Sequence, residues 1–126
     1  MARVLGIGGV FFKCRDPEAL KQWYQRWLQV PVSADFTGAV LRPDQIPRGG
    51  YTVWGLFAAD TTYFLPANRE FMVNFIVDDL EGALANVREG GAEVMAEIET
   101  SEFGRFGWFV DPEGNKVELW VPPEPA

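Results

Sequence analysis

The stretch GRFGWFVDPEGNKVELWVPP, Gly104 to Pro123, decides how this chain is read. Two strand-like runs, Phe106 to Val110 and Lys116 to Val121, flank Asp111-Pro112-Glu113-Gly114-Asn115. Proline has its φ fixed near the value a tight turn needs, Asp and Asn bond back to nearby backbone, and Gly or Asn accepts positive φ. The pattern predicts a β-hairpin. In its second strand, period-two alternation sets Lys116, Glu118 and Trp120 on one face and Val117, Leu119 and Val121 on the other. Glu118 is thus a carboxylate between a lysine and a tryptophan, with a purely apolar face behind it. Any chemistry in this chain is expected to begin there.

Working outward, the same punctuation recurs upstream. Asp16-Pro17-Glu18 reads as an N-cap, a first-position proline and a first-turn acid, opening a helix to about Gln29. Leu20, Trp23, Tyr24 and Trp27 fall on one stripe of it and read as core. Asp78-Asp79 opens a second amphipathic helix with Leu80, Ala83, Leu84 and Val87 inward, closed by Gly90-Gly91. Strand-like runs cover residues 4–14, 51–58, 70–77 and 92–98, with shorter ones expected within 34–40 and 63–65. Pro43, Pro47 and Gly49-Gly50 break up a loop from Leu41 to Gly50 that reads as a lid, a rim or a plain connection.

The two halves repeat. Setting Asp16 against Asp79 gives an offset of 63 (79 − 16), which also lays Trp54-Gly55-Leu56 on Val117-Glu118-Leu119. A strand, an Asp-capped helix and further strands, twice over, predict an α+β fold made of two tandem βαβββ modules.

Three strings, GVFFKCRDPEALKQWYQRWL from Gly9, FMVNFIVDDLEGALANV from Phe71 and FGWFVDPEGNKVELW from Phe106, resemble the vicinal oxygen chelate superfamily, which includes glyoxalase I, the bleomycin-resistance proteins and the extradiol dioxygenases. The resemblance covers essentially the whole chain. It implies a single domain over residues 1–126, with modules at about 4–65 and 70–123, their sheets curving around a cavity, and a homodimer. Carried over position by position, the superfamily's metal ligands fall on Gly9, Gly55, Met72 and Glu118. A single ligand-type side chain does not make a divalent-metal site, so no metal or other cofactor is expected.

If those four positions point inward, alternation brings Phe11, Lys13, Val53, Phe57, Asn74, Ile76, Lys116 and Trp120 to the same side. Together with Met72 these are the expected ligand-binding residues, and Glu118 is the candidate catalytic one. The opposite side reads Val10, Phe12, Trp54, Leu56, Val73, Phe75, Val77, Val117 and Leu119, and is expected to pack on the helices. Glu118 has three readings: a general acid or base in a dry cavity, half of an ion pair with Lys116 or Lys13, or a relic of a metal site.

Composition bounds the function. With 126 residues, 48% of them hydrophobic, one core is affordable within one domain. The balance of 11 Lys+Arg to 18 Asp+Glu gives a net charge of −7, which opposes nucleic acid and favours a cationic or neutral small molecule. With no histidine, Ser-His and Cys-His nucleophiles and histidine metal triads are excluded. The lone Cys14 forms no internal disulfide and reads as a core thiol, and no membrane span or leader is apparent, so a cytoplasmic protein is expected. Three functions remain: a metal-free small-molecule binder like the bleomycin-resistance proteins, a glyoxalase-like enzyme using Glu118 for proton transfer or with a substrate-borne metal, and a module serving only assembly.

Overall fold

The computed structural model describes residues 1–125. Helix α1 spans Pro17–Leu28, and Asp16 caps it by accepting the Ala19 N–H at 3.1 Å. Gln29 ends it in the left-handed region. Strand β1 (Val73–Ile76) leads to helix α2 (Leu80–Glu89), where Asp79 repeats the cap on the Gly82 N–H. Short strands β2 (Glu93–Val94) and β3 (Glu99–Ser101) precede the closing hairpin of β4 (Gly104–Val110) and β5 (Lys116–Val121).

These strands make one open, mixed sheet of order β1-β5-β4-β2, with β3 also pairing along β4. The β1–β5 pair is parallel and the others are antiparallel. The hairpin turn forms as its residues require. The Gly114 N–H donates to the Asp111 carbonyl and Gly114 sits at φ +85°, the geometry of a three-residue loop closed by a left-handed glycine.

Alternation then sorts the sheet into two faces. Phe109, Val117 and Leu119, all at most 2% exposed, meet Leu80, Ala83, Leu84 and Val87 of α2 in one core, with Trp23, Tyr24, Trp27 and Leu28 of α1 against it. Each large side chain sealed this way contributes about 1.5–3 kcal/mol. The expected helix stripes and the expected helix-facing set of the second half (Val73, Phe75, Val77, Val117, Leu119) are therefore in place, although Val73, Phe75 and Val77 are only half-buried.

The first half departs from expectation. Residues 4–14 and 51–58 form no strand, residues 63–65 form a turn, and 34–40 contributes only an isolated bridge from Val32 to Ala39. Val10, Phe12, Trp54 and Leu56, expected against the helices, are exposed, Trp54 and Leu56 at 77% each. Cys14 is half-buried rather than in the core. The physical reason lies in pairing: a strand needs a neighbour, and the first half has no hairpin equivalent to 104–121. Pro43, Pro47 and Gly49-Gly50 interrupt it, and Gly6, Gly8, Gly9 and Gly55 weaken the runs that would have to pair. The second-half strands are also shorter than expected, β1 beginning at Val73 rather than residue 70 and β2 keeping two residues of 92–98. Residues 99–101, outside every expected run, supply β3.

Candidate functional site

The face of the sheet turned away from the helices carries the site. Registers set Asn74 beside Glu118 and Ile76 beside Trp120 across β1–β5, and Phe106 beside Trp120 and Trp108 beside Glu118 across β4–β5. Glu118 lies at the middle, 8% exposed. Its Oε2 accepts the Tyr63 hydroxyl at 2.6 Å and the Trp108 indole N–H at 2.9 Å, and its Oε1 accepts the Asn74 amide at 2.7 Å. All three neighbours are donors, and a carboxylate so surrounded is held as an acceptor.

Tyr63 closes the site from the irregular segment before β1. Burial first, then its bond to Glu118, push its hydroxyl above the usual phenol range, so it stays protonated and donates. Its ring stacks on Phe57 at 5.4 Å and meets Trp108 edge-on at 6.2 Å.

Lys116 stands one residue pair along the same face. Its ammonium donates to the Tyr63 carbonyl at 2.6 Å and lies 5.2 Å from the Tyr63 ring and 5.7 Å from the Trp108 ring, a cation–π arrangement. Burial lowers its pKa, with Glu118 and Glu97 opposing the shift from a distance. No carboxylate lies within ion-pair distance of it among the described residues, and in particular Glu118 does not. Further along, Trp120 stacks on Phe106 with rings 8° from parallel, receives the edge of Tyr51 at 5.0 Å, and donates its indole N–H to the Phe103 carbonyl.

Of the residues the sequence pointed to, Glu118, Asn74, Lys116 and Trp120 come together on this wall, with Ile76 beside Trp120. Phe57 reaches the site through Tyr63. Phe11, Lys13 and Val53 are exposed, Phe11 at 94%, and Met72 is half-buried just before β1 without a bond to the cluster. Of the three readings of Glu118, the ion pair with Lys13 or Lys116 is absent among the described residues, and three uncharged donors stand there instead. A hollow of about 3460 Å³ runs between the sheet and the first-half chain, lined by residues of both sheet faces, Tyr24 and Ala83 of the helices as well as Lys116 and Glu118, with Met72, Val53 and Phe11. That exceeds the roughly 300–1,000 Å³ of a small-molecule pocket, because the first-half segments stand off the sheet instead of continuing it.

Tyr63, Trp108 and Phe106 were not anticipated. Trp108 and Phe106 were accessible by counting back across the turn from Glu118 and Trp120, whereas nothing in the aperiodic segment around Tyr63 signalled its direction.

The superfamily's divalent metal can be tested against this donor set. Gly9 and Gly55 offer no side chain, and among the described residues no three His, Cys, Asp or Glu gather. The N–H and O–H groups converging on Glu118 present protons where a cation would need lone pairs. The residues present do not fit the ion.

A second polar cluster ties the hairpin turn to α1. Buried Asp111 accepts the Tyr24 hydroxyl at 2.8 Å and the Glu113 and Asn115 amides. Glu113 accepts the backbone N–H groups of Arg15 and Asp16, just ahead of the helix, and Arg69 donates to the Glu113 carbonyl. This is bracing, and it keeps the wall and the helix layer in register. No helix among the described residues is long and apolar enough to cross a membrane.

With this geometry in place, the chain was compared with known proteins. Residues 9–120 match the glyoxalase-like domain family. Among solved structures, the chain is similar to a glyoxalase family protein from Enterococcus faecalis, at 27% identity and a TM-score of 0.36 over 51% of each chain, so that the match spans about half that protein's length. It is also similar to a protein from the mobile metagenome of V. Pseudocholerae, at 20% identity and a TM-score of 0.48 over 88% of each chain. No curated protein matches.

Proposed function

Because the chain belongs to the glyoxalase-like domain family of the vicinal oxygen chelate superfamily, we propose that it binds a small organic molecule against the aromatic wall of its sheet, without a divalent metal. The observation that carries this reading is the environment of Glu118. At the position where the superfamily's metal-using members keep a ligand, both carboxylate oxygens are engaged by Tyr63, Trp108 and Asn74. Three of the roughly four acceptor sites of Glu118 are taken and the residue is 8% exposed, which leaves a substrate proton little access to it and favours binding over proton transfer.

The rings of Tyr63, Phe57 and Phe106 supply apolar surface over buried Trp108 and Trp120, beside a few fixed polar groups, the composition of a binding site. The apolar segments left exposed at Val10, Phe11, Trp54 and Leu56 support the homodimer expected for this superfamily.

The test is metal content followed by a ligand screen. Purified protein is incubated with nickel, zinc, manganese and iron(II), desalted and analysed beside Glu118→Ala. Sub-stoichiometric metal in both samples, with thermal-shift hits among small aromatic compounds, is the expected outcome. Near-stoichiometric metal that disappears in the variant would overturn the metal-free reading and point to a glyoxalase-like lyase.

A further inference from the structure

We infer that the molecule bound at this wall is an aromatic carboxylic acid, and that Lys116 receives its carboxylate. The inference rests on the binding reading above and names the ligand's chemistry.

The two charged groups of the wall are in opposite conditions. Glu118 is largely taken up: three of its roughly four acceptor sites hold donors from the protein, and the residue is only 8% exposed. Lys116 is not. An ammonium has three N–H donors, and the Tyr63 carbonyl takes one of them. The ammonium is half-buried, framed by two aromatic rings, and among the described residues it has no carboxylate within ion-pair distance. Arg69 donates to the Asn115 side chain and the Glu113 carbonyl, and Arg105, on the opposite face, pairs with Glu81; Lys13, Arg42 and Arg48 also line the hollow, but they are exposed and stand on the first-half segments away from the sheet.

This asymmetry decides the sign of the ligand. A cationic ligand aimed at Glu118 finds roughly one acceptor site left, on an 8% exposed residue, and to gain a second bond there must displace a protein donor already 2.6–2.9 Å away. An anionic ligand takes the donors Lys116 has left and displaces nothing. It also gives a partly desolvated charge the partner it lacks, which is where a charged hydrogen bond is strongest. The chain's overall charge of −7 acts over longer range and is screened by salt, so it slows the approach of an acid more than it weakens the contact. The half-buried Tyr63 ring and the exposed Phe57 ring stacked on it supply surface for the ligand's aromatic part, and buried Trp108 backs the ammonium.

The experiment uses matched probes: 2-naphthoate, indole-3-acetate and benzoate, each beside its neutral amide. Binding to the intact protein is measured by calorimetry or by quenching of tryptophan fluorescence. Each acid that binds is expected to bind wild type about tenfold or more tightly than its amide. That preference disappears in Lys116→Met, which keeps the length of the stem, and survives in Lys116→Arg, which keeps the charge. The acid–amide comparison on wild type needs no variant to fold. Amides binding as tightly as acids, or an undiminished acid preference in Lys116→Met, would overturn the inference and leave the binding reading standing. Binding of amine-bearing or neutral aromatics with no acid of the panel bound would do the same. If no aromatic compound of any charge bound, the binding reading would fall with it.

Discussion

Replacing Glu118 tests whether the wall is built around a filled acceptor or around a carboxylate waiting for a cation. In Glu118→Gln the remaining carbonyl oxygen can stand at the Oε2 position and keep both Tyr63 and Trp108. The new amide then faces Asn74, an exposed residue whose side chain can turn its oxygen inward. What is lost is the charge on two or three hydrogen bonds, and since a charged bond exceeds a neutral one by about 1 kcal/mol, the gross loss is about 2–3 kcal/mol. Relief from burying a charge returns part of it, leaving a net cost of about 1 kcal/mol. Glu118→Ala is different in kind. The Trp108 indole, on a residue 6% exposed, loses its acceptor, at about 1–3 kcal/mol, and the vacated volume adds to that. The half-buried Tyr63 and exposed Asn74 can turn to water, so the total is about 3 kcal/mol. Equilibrium urea unfolding, followed by tryptophan fluorescence, should rank wild type above Gln and Gln above Ala, with an unchanged denaturant slope. A rise in stability in either variant would refute the reasoning, because removing a carboxylate stabilises a fold only where that charge was uncompensated.

Two further perturbations probe the frame. Burial first, then the charge of Asp111 and the bond to it, push the Tyr24 hydroxyl above the usual phenol range. Its contribution is therefore complete below pH ~10 and lost above it, where the unfolded phenol ionises and the folded one does not. Wild-type stability should fall more steeply between pH 10 and 11 than that of Tyr24→Phe, by about 1 kcal/mol over that unit, in urea titrations at each pH; equal slopes would show that Tyr24 ionises in place. Gly104 sits at φ +112°, where a Cβ would run into the Val121 carbonyl, whereas Gly91, at φ +93°, has open space around it. Gly104→Ala should cost clearly more than the about 1 kcal/mol of strain expected for Gly91→Ala, and parity in thermal melts would place the penalty in φ alone.

What was legible in the sequence was what is local. Asp16 and Asp79 each cap a helix three residues ahead, Asp111 to Asn115 form the turn their side chains dictate, and alternation along Lys116–Val121 puts Val117 and Leu119 in the core and Glu118 on the other side. The fold class, α+β with a mixed sheet, followed from these pieces. Residues 4–14 and 51–58 misled because β-branched and aromatic content describes a strand's suitability and not its partner; pairing is decided by whatever edge the rest of the chain presents. The site divides along the same line. Lys116, Glu118 and Trp120 followed from periodicity and Asn74 from alternation anchored on a position the resemblance supplied, while Tyr63 comes from a segment without period and meets a carboxylate 55 residues away. Tyr24 was read as core through its ring, and its hydroxyl, bound to Asp111 across 87 residues, had no sequence signature.

The bracing at the hairpin turn bears on how the chain reaches this structure. The amides just ahead of α1 are received by Glu113, 98 and 97 positions later, and the same helix is anchored through Tyr24 to Asp111. Contacts between such distant positions raise contact order and slow the search for the native arrangement. During synthesis the first helix leaves the ribosome long before the turn that docks it exists. Its tryptophan stripe can meet the second helix once Gly90 has emerged, whose carbonyl accepts from the Trp23 indole, but its polar braces wait for the turn, so the helix that is made first is fastened last.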